Sequence, residues 1–107
     1  ALITNNSLQR LVLSYNEIAD NSAYSLGQML KVNKTLTSIC LMGNDITCVG
    51  AKDISLGLEI NNSLQEISIG SNRIFDQGAI FIANALKQNS TLTKIDFFGC
   101  RIQIDGI

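Results

Sequence analysis

Apolar and polar residues follow one another in two distinct rhythms along this chain. Between Leu64 and Ile69 they alternate (Leu64-Gln-Glu-Ile67-Ser-Ile69), the period of a strand with one buried face. The chain then turns at Asn72, places Ile74 after it, and from about Gln77 to Gln88 changes period. Ala79, Ile82, Ala83 and Leu86 are spaced as one face of a helix. The same succession begins again at Leu8, Leu36 and Leu92, so the unit is 28 residues long. Internal repetition of this length marks a solenoid, in which each unit buries its apolar faces against its neighbours.

The repeat fixes most of the architecture. Leu8, Leu11, Leu13, Asn16 and Ile18 occupy the pattern LxxLxLxxNxL, as do Leu36, Ile39, Leu41, Asn44 and Ile46, and Leu64, Ile67, Ile69, Asn72 and Ile74. In the fourth unit Leu92, Ile95, Phe97 and Ile102 keep the pattern, with Cys100 where asparagine stood. Strands that recur every 28 residues with a helix between them must run parallel, with right-handed connections. A buried asparagine after each strand can satisfy backbone groups of its own coil and of the next. Cys100 would fill that place as a compact, weakly polar group. Ala23, Leu26, Gly27 and Leu30, and Ala51, Ile54, Ser55 and Leu58, repeat the helix face. The small residues among them are expected to let each helix lie close to the sheet. Asp20 and Asp76 are expected as helix caps or first-turn acids. Asn33, Asn61 and Asn89 fall at helix ends, where asparagine tolerates the left-handed conformation. Residues 1–107 thus form one α/β domain: the tail of a repeat (1–7), full repeats 8–35, 36–63 and 64–91, and a partial repeat (92–107). The chain opens and closes inside repeats, which reads as a piece of a longer solenoid.

These residues resemble the leucine-rich repeat family, in its ribonuclease-inhibitor-like class of 28-residue units. The resemblance runs through all four registers. It implies a curved, right-handed horseshoe segment with a parallel sheet on the concave side and helices on the convex side. Proteins of this repeat type include ribonuclease inhibitor, NOD-like receptor sensor ends, Ran GTPase-activating proteins, tropomodulins and assorted ciliary and bacterial-effector proteins.

Composition narrows the function. The net charge of −1 gives no basic surface for a nucleic acid. No apolar run approaches the length of a membrane span. No signal peptide is visible, which says little for a piece of a longer chain. A cytoplasmic, intracellular protein is expected. Three cysteines (Cys40, Cys48 and Cys100) without histidine supply neither a disulfide framework nor a zinc ligand set. Without histidine, acid–base chemistry would fall to Asp, Glu or Lys, and Glu17, Asp45, Glu66 and Asp96 form no paired motif. The turns around Gly43 and Gly70 lack the GK[ST] of a phosphate loop. Neither an enzyme nor a cofactor is implied. Sequons occur at Asn5, Asn33, Asn61 and Asn89, but at the repeat period, where Asn and Ser/Thr each have a structural place in the helix-to-strand turn.

The positions free to vary are those that point away from the core. They form three columns: Arg10, Ser38, Glu66 and Lys94; Val12, Cys40, Ser68 and Asp96; Ser14, Met42, Gly70 and Phe98, with Tyr15 just beyond. Glu66 and Lys94 should be neighbours on adjacent strands. Exposed aromatics and methionine on a regular surface are the usual core of a protein interface. A protein-interaction surface is therefore expected on the concave sheet, made by Tyr15, Met42, Phe98, Val12, Arg10, Glu66, Lys94 and Asp96. It is centred on Met42, with a gap left by Gly70, and its balanced charges make it weakly salt-dependent. Two alternatives come from other classes. One is a regulator of turnover of the Ran GTPase-activating type, whose loop arginine has no clear counterpart in Arg10, Arg73 or Arg101. The other is a cytoskeletal or axonemal spacer. Self-association through the uncapped ends, at Leu2, Ile95, Ile102 and Ile104, is also expected. On the convex side Ile80 and Phe81 are expected to pack on a neighbouring helix.

Overall fold

The computed structural model of the protein describes residues 8–97. Four strands alternate with three helices: β1 (Arg10–Val12), α1 (Asp20–Val32), β2 (Ser38–Cys40), α2 (Cys48–Ile60), β3 (Glu66–Ser68), α3 (Phe75–Gln88) and β4 (Lys94–Asp96). The strands are parallel, in the order β1-β2-β3-β4. Their register is the sequence period: Leu11 pairs with Ile39, Ile39 with Ile67, and Ile67 with Ile95. The sheet forms one wall of the solenoid and the helices the other. Helix α3 begins at Phe75, one half-turn before the helical spacing becomes visible in the sequence.

Between the walls lies the core. Leu36, Ile39, Leu41 and Ile46 of the second coil, and Leu64, Ile67, Ile69 and Ile74 of the third, are excluded from solvent, as are Ile54, Leu58 and Ile82 from the helices. Each such side chain stabilises the fold by about 1.5–3 kcal/mol relative to an exposed one. Ala83 and Leu86, by contrast, are exposed and half-buried, although their equivalents Ser55 and Leu58 are buried. No helix beyond α3 is among the described residues to cover them. Gly27, one of the small residues of the helix faces, serves a contact other than the expected one with the sheet, and Gly57 serves the same one. A side-chain carbon on Gly27 would run into the backbone carbonyl of Asp53, and one on Gly57 into that of Gly27. These two glycines bring α1 against α2.

Two asparagine ladders close the backbone groups of the turns. In the first, Asn72 Nδ2 donates to the Leu41, Ile69 and Gly70 carbonyls at 2.8, 2.9 and 3.2 Å, and Oδ1 accepts from Ile46 N at 3.0 Å. Asn44 does the same one coil earlier, donating to Leu13 and Leu41 and accepting from Asn16 N and Ile18 N. The amide thus bonds its own coil and the preceding one. Cys100, the fourth member in sequence, lies outside the described residues.

The second ladder departs from expectation. Asn33, Asn61 and Asn89 are extended at the helix C-termini, with φ of −75°, −66° and −112°, not left-handed. Their role lies in the side chain. Asn61 Nδ2 donates to the Leu30 and Asn33 carbonyls, while Oδ1 accepts from Ser63 N and Leu64 N. Asn89 repeats the arrangement with Leu58, Asn61, Thr91 and Leu92. The amide nitrogens of the sequons at Asn61 and Asn89 are therefore committed to the backbone; Asn5 lies outside the described residues.

Helix starts are closed differently again. Asp20 is in the first turn of α1, yet its carboxylate serves α2: Oδ1 accepts from Thr47 N (2.8 Å) and Gly50 N (3.1 Å), and Oδ2 from the Thr47 hydroxyl (2.5 Å). Thr47 in turn caps α2 by accepting from Val49 N. Asp76 is a first-turn acid of α3, as expected.

Candidate functional site

Strand pairing delivers the surface columns in the order the sequence sets out. Arg10, Ser38, Glu66 and Lys94 are successive register partners, as are Val12, Cys40, Ser68 and Asp96. Glu66 and Lys94 thus stand opposite each other on neighbouring strands. Because Leu11, Ile39 and Ile67 point inward, these two columns lie on the outer face of the sheet. Val12 is 63% exposed, and Ser68 donates to the Asp96 carboxylate at 3.3 Å. Ser14 and Met42 of the third column are half-buried. Phe98, the other aromatic assigned to this column, lies outside the described residues.

A depression of about 270 Å³ opens on this face, lined by Ser38, Ile39, Cys40, Glu66, Ile67, Ser68, Lys94 and Asp96. It sits over the middle of β2, β3 and β4. Gly70 is buried, its carbonyl taken by Gly43 N and Asn72 Nδ2. Cys40 forms part of the floor, with its sulfur 3.0 Å from the Ser14 hydroxyl oxygen. Burial pushes the Cys40 thiol up, but hydrogen bonds from Ser14, the Met42 backbone and Ser68 outweigh both burial and the Asp96 charge. Its pKa lies below the ordinary thiol value.

Tyr15 occupies the rim where β1 turns toward α1. It has positive φ (57°), and the next coil has Gly43 at the equivalent place with φ of 72°. A side-chain carbon at Gly43 would overlap the Tyr15 ring. The ring therefore lies on the Gly43 backbone, yet the residue is 71% exposed. Two exposed acids flank this rim, Glu17 in the first coil and Asp45 at the same place in the second, with exposed Arg73 next in the row. The alternating pattern of the strands did not single them out. Their common spacing of one repeat was the available signal.

On the helix side, Phe81 is half-buried under the Lys52 ammonium, 5.7 Å from the ring centre, so it does pack on the neighbouring helix. Ile80 does not; it is exposed, with Tyr24, Val49, Leu56, Val32 and Ile60. Among the described residues no group of three or more Cys, Asp or Glu side chains is placed to hold a metal ion. No helix there is long and apolar enough to cross a membrane.

A parallel sheet backed by helices, with asparagine ladders at both turns and an open outer strand face, defines a repeat solenoid. The chain belongs to the leucine-rich repeat family: the family model described as Leucine Rich repeat matches residues 4–27, 32–55, 61–83 and 88–107. Among solved structures, one described as leiomodin-1 actin-binding site 2 superposes with a TM-score of 0.85 and 35% identity, covering 90% of this chain and 57% of that one. The tropomodulin C-terminal domain of Caenorhabditis elegans superposes with a TM-score of 0.82 and 14% identity, over 97% of this chain and 63% of that one. The latter likeness is one of fold. This chain spans less than two thirds of either structure. Comparison with curated protein sequences gives no match.

Proposed function

We propose that this chain is a protein-binding segment whose strand face engages its partner, and that the partner is actin. The observation that carries the reading is the 35% identity, over 90% of this chain, to a structure described as an actin-binding site of leiomodin-1. The surface supports it: Tyr15, Val12 and Arg10 are exposed, Met42 is half-buried beside Tyr15, and Glu66, Lys94 and Asp96 line a shallow depression. Phe98 continues the third column by sequence. Binding, not chemical conversion, is the activity such a surface offers, and an intracellular setting follows from the partner.

Co-sedimentation with filamentous actin and a fluorescence assay with monomeric actin test this reading. Met42→Glu is expected to weaken the complex by at least about 2 kcal/mol, the scale of an interface hot spot. The helical signal and melting temperature should stay nearly unchanged, because Met42 is only half-buried. Absence of binding to either form of actin overturns the actin assignment. Undiminished binding by Met42→Glu moves the site off the strand face, with Ile80 and its exposed apolar neighbours next in line.

A further inference from the structure

We propose that the rim around Tyr15 receives a basic side chain, arginine before lysine, from the protein partner. This rests on the strand face being the binding surface, and it says which corner of that face selects the partner and by what chemistry.

Three features converge there. The first is the seat of the Tyr15 ring. One side lies on Gly43, the residue in the equivalent place of the next coil, where any side chain would displace it. The other side is open, since the residue is 71% exposed. An aromatic face is the negative pole of a ring quadrupole and attracts cations. The second is charge. Exposed Glu17 and Asp45 stand on neighbouring coils at the same end of the sheet. The basic residue on the strand face of the first coil, Arg10, is at the far end of β1, five residues from Tyr15 and at most about 17 Å away at the rise of an extended chain. Arg73 closes the row one coil beyond Asp45, so the acidic end is the Tyr15 end. The third is apolar surface: Val12, 63% exposed, can cover the aliphatic stem that such a side chain carries behind its charge. Arginine fits better than lysine because its planar guanidinium stacks on a ring while its N–H fork still reaches a carboxylate. An acidic partner would meet Glu17 and Asp45 unpaired, and a purely apolar one would leave them desolvated.

The test is an NMR titration of the isotope-labelled 107-residue chain with a capped peptide of alternating arginine and glycine. Matched peptides carry citrulline, neutral and nearly isosteric, or glutamate. Shifts are expected at the amides of Tyr15, Glu17, Gly43 and Asp45, with the citrulline peptide about tenfold weaker. Tyr15→Leu should weaken the arginine peptide about fivefold and Tyr15→Phe should leave it unchanged, because the ring, not the hydroxyl, is the contact. Glu17→Gln with Asp45→Asn should weaken it about threefold or more. Equal binding of the citrulline or glutamate peptide, shifts centred elsewhere, or undiminished binding by Tyr15→Leu would each overturn the proposal. Actin co-sedimentation on the same variants separates the two readings. Peptide binding at this rim without actin binding removes actin and keeps the rim. Actin binding unaffected by Tyr15→Leu removes the rim and keeps actin.

Discussion

At the scale of single residues, the asparagines after the strands do what no apolar residue in their place could. Asn72 is buried and makes four hydrogen bonds to backbone groups of two coils. Asn72→Ala leaves those groups without partners in a region closed to water. It should cost about 1–3 kcal/mol or more. Ser71, beside it, is exposed and already left-handed (φ 55°). Ser71→Ala keeps the same Cβ and should lie within about 0.5 kcal/mol of neutral. Urea midpoints for the two variants check this, and equal values would mean the ladder is not holding the turn. This much was legible in the sequence, because the pattern that marks the strand also marks the asparagine. The seat of Tyr15 was not. It depends on Gly43, and nothing within the first repeat shows what the second puts beneath it. The left-handed reading of Asn33, Asn61 and Asn89 failed for a related reason. Asparagine tolerates that conformation, but the amides of Asn61 and Asn89 bond the carbonyls of the preceding coil, and all three caps are extended.

At the scale of elements, the helices are joined side to side by what they lack and end to end by what they lend. Gly27 and Gly57 let α1 and α2 approach to backbone contact. Asp20, on α1, closes the free N–H groups at the start of α2. Asp20→Ala is therefore expected to loosen the wrong helix, as judged from sequence alone. Hydrogen exchange should quicken at Gly50 and Ala51 more than at Ala23 and Tyr24. Stability should fall by about 0.5–2 kcal/mol, the usual cost of losing a cap. Faster exchange confined to α1 would show that Asp20 acts as a first-turn acid of its own helix and nothing more. The sequence could place Asp20 at a helix start. It could not assign the helix, since that requires knowing which coil the carboxylate faces.

At the scale of the whole molecule, periodicity made the fold readable and the surface only partly so. Every strand falls where its column predicted, because register in a parallel solenoid is the repeat length itself. The depression lies where side chains of three different coils meet at particular heights, and no periodic rule sets that. The fourth coil shows what a neighbour contributes. Leu92, Ile95 and Phe97 are half-buried, although their equivalents Leu64, Ile67 and Ile69 are excluded from solvent. The 107-residue chain on its own is accordingly expected to self-associate or to melt at a low temperature. Sedimentation that finds a monomer at high concentration, together with a high melting temperature, would contradict this. The ladders also give the molecule a direction in time. A coil leaving the ribosome carries the Leu13 carbonyl and Ile18 N–H open until Asn44 of the next coil arrives to bond both. At about 5–20 residues per second a coil waits roughly one to six seconds for its successor. For that interval its strand is an unpaired edge, so the pace of translation governs how long each new coil can be captured by another chain.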